Sequence, residues 1–157
     1  MRIHYFIVYT LMLFIGFSCS TEKFEPVNLI EDQEGVLIDL KWSTGSSSQQ
    51  SVSDINLDLY LKKGESDFSS STNDSDFDKI TLSSLAEDDE YIIAVKYAGC
   101  KEGSKDINFT LIFKGEKISK TYTIGSGFSA AEQGNMNDFV KISKSGNKFT
   151  ITKINTF

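Results

Sequence analysis

Apolar and polar residues alternate along much of this chain from Gly35 onward. In Gly35 to Trp42, Val36, Ile38, Leu40 and Trp42 share one face, while Asp39 and Lys41 share the other with Leu37. Asp54 to Lys62 repeats the pattern, with Ile55, Leu57, Leu59 and Leu61 on one side and Asn56, Asp58, Tyr60 and Lys62 on the other. A period of two marks a half-buried strand. Further strands are expected from Ile80 and Leu82 to Leu85, over Tyr91 to Tyr97 and over Asp106 to Lys114. A tight turn at Gly115-Glu116 leads into Lys117 to Ile124, and a last hairpin pairs Phe139 to Ser143 with Lys148 to Ile154 across Ser145-Gly146-Asn147. Between them lie three polar connections, Ser43 to Ser53, Gly64 to Phe77 and Gly125 to Asp138.

About eight short strands with no helical periodicity predict an all-β chain, a jelly-roll-like antiparallel β-sandwich. Trp42, Leu59, Val95, Phe109 and Phe113 are the core candidates.

The N-terminus breaks this pattern. After Arg2 comes an apolar run from Ile3 to Phe17, interrupted by His4, Tyr5, Tyr9 and Thr10. As a helix it would span roughly 22 Å, short of a hydrocarbon core of roughly 30 Å. It therefore reads as a cleavable export signal over residues 1–18. Residues 19–34 read as a polar tether carrying the only proline, Pro26, and residues 35–157 as one domain.

Ile15-Gly16-Phe17-Ser18-Cys19 resembles the lipobox of Bacteroidota-type bacterial lipoproteins, with Gly16 in the usual leucine position. The resemblance implies cleavage before Cys19, acylation (palmitate among the chains) on that cysteine, and attachment to the outer membrane on its cell-surface or periplasmic side. Two or more acyl chains would hold stably. Ile38-Asp39-Leu40-Lys41-Trp42, the Asp54 to Leu61 strand, and Asp89-Glu90-Tyr91 with Tyr97 together resemble pre-peptidase C-terminal type jelly-roll domains. That likeness implies a sandwich with a binding or accessory role.

Charge and composition narrow the chemistry. The chain of 157 residues has a formal net charge of −6. Its only histidine, His4, and its only arginine, Arg2, precede Cys19. The mature part is thus without Ser-His-Asp or Cys-His catalysis in their usual forms and without histidine-containing zinc sites. It also has no bidentate arginine clamp. Nucleic acid is not an expected partner, since affinity there comes from neutralising phosphates. With Cys19 acylated, Cys100 has no intrachain disulfide partner.

Two constellations remain. Asp74, Asp76 and Asp78 alternate in a loop, an oxygen-rich pattern compatible with calcium, although the EF-hand template fails at Lys79 and Leu85. Asp54, Asn56, Asp58 and Tyr60 share one strand face. No pair of carboxylates is selected for general acid–base work, so no catalytic residue and no cofactor is expected.

The sequence therefore predicts a lipid-anchored, non-enzymatic accessory or recognition module that presents sandwich-end loops to an unknown protein or glycan ligand. The alternatives are a structural subunit engaged through strand-edge pairing and a calcium-binding sandwich.

Overall fold

The computed structural model describes residues 27–45, 54–73 and 76–155. The export signal and Cys19 lie outside the described residues. Among the described residues no helix is long and apolar enough to cross a membrane.

The strands are β1 (Leu29–Glu31), β2 (Gly35–Trp42), β3 (Ile55–Lys63), β4 (Ser66–Ser71), β5 (Phe77–Ser83), β6 (Glu90–Cys100), β7 (Ile107–Gly115), β8 (Thr121–Phe128), β9 (Met136–Ser145) and β10 (Lys148–Lys153). They form two sheets, one in the order β1-β10-β9-β6-β3-β4 and the other in the order β5-β2-β7-β8. Every pairing is antiparallel. The fold is an all-β antiparallel sandwich, as the alternation predicts, with ten strands among the described residues rather than about eight. The buried core residues described run from Ile30 to Ile151.

The inward faces interdigitate between the sheets. Ile38, Leu40, Leu57, Leu59, Leu61, Ile93, Val95, Leu111, Phe113, Ile142 and Ile151 are fully buried. Each contributes about 2 kcal/mol relative to exposure. All five predicted core residues, Trp42, Leu59, Val95, Phe109 and Phe113, are buried. Trp42 also donates its indole N–H to the carbonyl of Ile55, 3.1 Å away, tying one sheet to the other.

Three expectations are corrected. The expected tether over residues 19–34 ends early, because Leu29–Glu31 pairs with β10 and Ile30 is fully buried. The connection Gly64 to Phe77 contains β4, whose polar sequence Ser-Asp-Phe-Ser-Ser-Ser shows no alternation. An edge strand needs little apolar surface, and β4 satisfies the backbone groups of β3. The β7–β8 hairpin does not turn at Gly115-Glu116: β8 begins only at Thr121 and runs to Phe128. Asp32 accounts for the shift. Its carboxylate accepts the backbone N–H groups of Lys117 and Ile118, which are then not available to a ladder.

The two ends of the sandwich differ. The connections β1–β2, β5–β6, β7–β8 and β9–β10 gather at one end and are cross-tied by Asp32 and Asp88. At this end the buried Tyr91 donates its hydroxyl back to the carbonyl of Glu87 at 2.8 Å, in the manner of a tyrosine corner. The end of β2, the start of β3 and the connections β6–β7 and β8–β9 gather at the opposite end. Asn28, just before β1, bonds Ile151, in the row of Ile142 and Tyr91.

Candidate functional site

The opposite end holds the concave surface. A groove of about 720 Å³ runs beside β8, lined by Asn108, Thr110, Gly125, Gly127, Glu132 and Lys153 among others. Two smaller concavities adjoin it. One is lined by Ser43, Thr44, Asp54, Lys105 and Asp106, the other by Lys41, Trp42 and Thr110, and both also include Asn108. The exposed Asn108 is therefore the point where all three meet, on the outer face of the four-stranded sheet.

Local sequence explains the hollow. Asn108 and Thr110 of β7 stand opposite Gly127 and Gly125 of β8. Two glycines on one outer strand face leave no side chains to fill the space. At Gly125 a Cβ would meet nothing within 4 Å, but at Gly127 it would fall 2.7 Å from the carbonyl of Ile107. The floor is stiff. Phe109 and Phe128 of one sheet pack edge-on to Phe139 of the other at centroid distances of 5.0 and 5.4 Å, and Tyr97 adjoins Phe128 at 5.8 Å.

The charged groups around the groove are held in place by the fold. Asp106 accepts the N–H of Ala130 at 2.8 Å. Glu132 accepts from the backbone and hydroxyl of Ser129 and from Asn137, all at 2.8 Å. The backbone bond of Ser129 leads these in holding the Glu132 carboxyl below its ordinary pKa. Lys153 donates its Nζ to the carbonyl of Gly125 at 3.1 Å. The Ser126 hydroxyl is buried with no partner among the described residues. The surface thus offers fixed amide, hydroxyl and carboxylate groups over a preformed hollow, which suits binding by hydrogen bonds.

The two constellations read from sequence lie elsewhere. Asp78 turns inward from β5 and is fully buried. Its Oδ1 accepts from the Ser71 hydroxyl at 2.7 Å and from the Asn73 side chain at 3.2 Å, while Oδ2 has no partner among the described residues. Burial pushes its pKa up, against the hydrogen bonds from Ser71, Asn73 and Leu59. Asp76 is half-buried, and Asp74 lies outside the described residues. Among the described residues no three histidine, cysteine or acidic side chains are grouped so as to hold a metal.

The Asp54 to Tyr60 face is less wet than its polarity implies. Asp58 is only 7% exposed and Asn56 is half-buried, their side chains 3.5 Å apart. Burial, then Asp58, Asp67 and Asp78, raise the phenol pKa of Tyr60. Asp54 alone of this set reaches the concave end. Cys100 ends β6, half-buried against the core.

Of the three connections expected to carry recognition, Gly125 to Asp138 supplies Gly125, Ser126, Gly127, Phe128, Ser129 and Glu132 to the groove, although it reads in sequence as one loose connection. In the fold that stretch is the end of β8, a short 3-10 turn at Ala130–Glu132 and the start of β9. The Gly125-Ser126-Gly127 spacing was its one visible signal.

No family model matches this chain, and neither the curated proteins nor the solved structures give a match to it.

Proposed function

We propose that this protein is a lipid-anchored, non-enzymatic recognition module of the outer membrane, and that its ligand lies over Asn108. The observation that carries the reading is the meeting of three concavities at that one exposed amide. The ligand is an extended polar chain, glycan or peptide, because the hollow is open and its groups are hydrogen-bonding. This places recognition on a sheet face beside the end loops rather than on long loops.

The anchor is the acylated Cys19 implied by the lipobox likeness. Val27, eight residues on, lies just ahead of β1. Eight extended residues span at most about 28 Å. That length limits how far Val27 stands from the acylated residue.

A glycan and peptide array probed with residues 20–157 tests the binding. A subset of probes is expected to bind, and Asn108→Ala with Thr110→Ala is expected to weaken that binding about tenfold or more, the loss of one to two hydrogen bonds. Binding unchanged in this variant, or binding to no probe, would sink the reading. Metabolic labelling with an alkynyl palmitate, lost in Cys19→Ser, tests the anchor separately.

A further inference from the structure

We propose that Asn108 is the acceptor for an N-linked sugar, joined through its side-chain nitrogen and lying in the hollow beside Gly125 and Gly127. The modification does not rest on the ligand reading above. Where the sugar is attached it covers the same hollow, so modification and capture of a free ligand exclude each other.

Two asparagines of this chain are followed, two residues later, by serine or threonine with no proline between: Asn73-Asp74-Ser75 and Asn108-Phe109-Thr110. That spacing marks an acceptor for N-glycosylation in an exported chain, and export is what the signal read over residues 1–18 implies. In an extended backbone residues two apart project to the same side. An enzyme that reads such a segment meets the amide and the hydroxyl together.

The structure separates the two motifs. At Asn73 the side-chain nitrogen is engaged, donating to the Ser71 hydroxyl at 3.0 Å and to Asp78 Oδ1 at 3.2 Å. An amide nitrogen has two hydrogens, and a sugar would replace one that holds the buried Asp78 in place. Asn108 is exposed, and among the described residues its side chain has no hydrogen-bond partner. Its nitrogen can take a sugar with no bond lost.

The space for the sugar comes from β8. Asn108 and Thr110 stand opposite Gly127 and Gly125. A Cβ on Gly127 would lie 2.8 Å from Asn108 Oδ1, so a larger residue there would displace the amide, and at Gly125 a Cβ would meet nothing within 4 Å. Asp106, two residues before Asn108, lines the same hollow as Asn108 and Thr110. A carboxylate therefore flanks the amide on one side along the chain and a hydroxyl on the other.

The step is a group transfer with no change of oxidation state. The donor is a sugar carried on a polyprenyl diphosphate, and a membrane glycosyltransferase acts in trans. The Asn108 nitrogen bonds to the anomeric carbon, the bond from that carbon to the diphosphate oxygen breaks, and the diphosphate leaves with the electron pair. The amide nitrogen gives up one proton to solvent. This chain supplies only the acceptor.

Digestion after lysine releases residues 106–114 as one peptide. Mass spectrometry of that peptide, from the full chain purified from the organism that encodes it, tests the proposal. A glycan mass increment on Asn108 is expected. Asn108→Gln and Thr110→Ala are expected to abolish it, Thr110→Ser to retain it and Asn73→Gln to leave it in place, all with an unchanged circular dichroism spectrum. Thr110→Ala keeps the acceptor amide, so its effect reads recognition of the hydroxyl. A peptide found wholly at its unmodified mass would overturn the proposal, as would a sugar that survives Thr110→Ala or one carried on Asn73 instead. The array experiment above uses chain made without the sugar donor, so the two readings fail separately.

Discussion

Asp32 Oδ2 accepts the backbone N–H of Lys117 at 2.7 Å, joining two turns 85 residues apart in sequence. The same oxygen takes the N–H of Ile118 at 2.9 Å, and Oδ1 takes those of Glu34 and Gly35 at 2.9 and 3.3 Å. Burial pushes the pKa of this carboxyl up, but the four donors outweigh it and hold the pKa below the ordinary aspartate value. Its contribution to stability is therefore complete above the unfolded-state pKa of about 3.9 and is lost as the pH falls through the lower folded value. Asp32→Ala orphans several buried donors and is expected to cost on the order of 3 kcal/mol. Urea denaturation followed by the fluorescence of Trp42, the only tryptophan, measures it.

Gly115 lies against this latch. A Cβ there would sit 2.8 Å from Asp32 Oδ2 and closer still to the side chain of Ile118. Gly115→Ala is expected to destabilise by about 1–3 kcal/mol, the range for overpacking. The substitution is expected to cost much less in an Asp32→Ala background, and a double-mutant cycle by thermal melting reads that coupling.

Asp78 has the opposite pH signature. Its folded pKa is raised by burial. Between the unfolded value of about 3.9 and that raised value the unfolded chain has released a proton that the folded chain retains, so this group lowers stability as pH rises through the window. Asp78→Asn removes that slope. Its stability relative to the parent is expected to improve from pH 3 to pH 7, as measured by urea midpoints at each pH.

Lys144 is buried with its ammonium on Asp88, 2.9 Å away, and the same carboxylate oxygen accepts the N–H of Gly146 at 2.7 Å. The two partners are unequal: the side chain of Lys144 is 1% exposed, that of Asp88 58%. Asp88→Ala leaves a buried ammonium without its partner, whereas Lys144→Met leaves a carboxylate that water can solvate and keeps the packing of the stem. Asp88→Ala is expected to lower the melting temperature more than Lys144→Met, and a reversed order would show that the buried ammonium does not depend on Asp88.

Legibility in sequence followed the extent of burial. β2 was read to its ends, because both its neighbours are strands and its inward face is wholly apolar. β3, β6 and β7 were located with ends shifted by one to three residues. β4 and β1 were invisible. The first buries almost nothing, and the second consists of three residues whose one deep side chain is Ile30. The loop aspartates drew attention by spacing, yet Asp78 is a core residue bonded to Ser71. Asp32, with more backbone donors than any other carboxylate described, stands in a stretch that reads as tether.

Alternation along the chain determined the fold class and the inward face, because whether a side chain points in or out of a strand depends only on its neighbours two residues away. The absence of histidine and arginine after His4 likewise restricted the chemistry without any coordinates. Tertiary structure decided the rest: where the β7–β8 turn closes, which strands become edges, and where the surface is hollow. Those outcomes depend on which backbone groups find partners and which strands become neighbours. Asp32 meets Lys117, and Asn108 faces Gly127, only once both sheets have assembled.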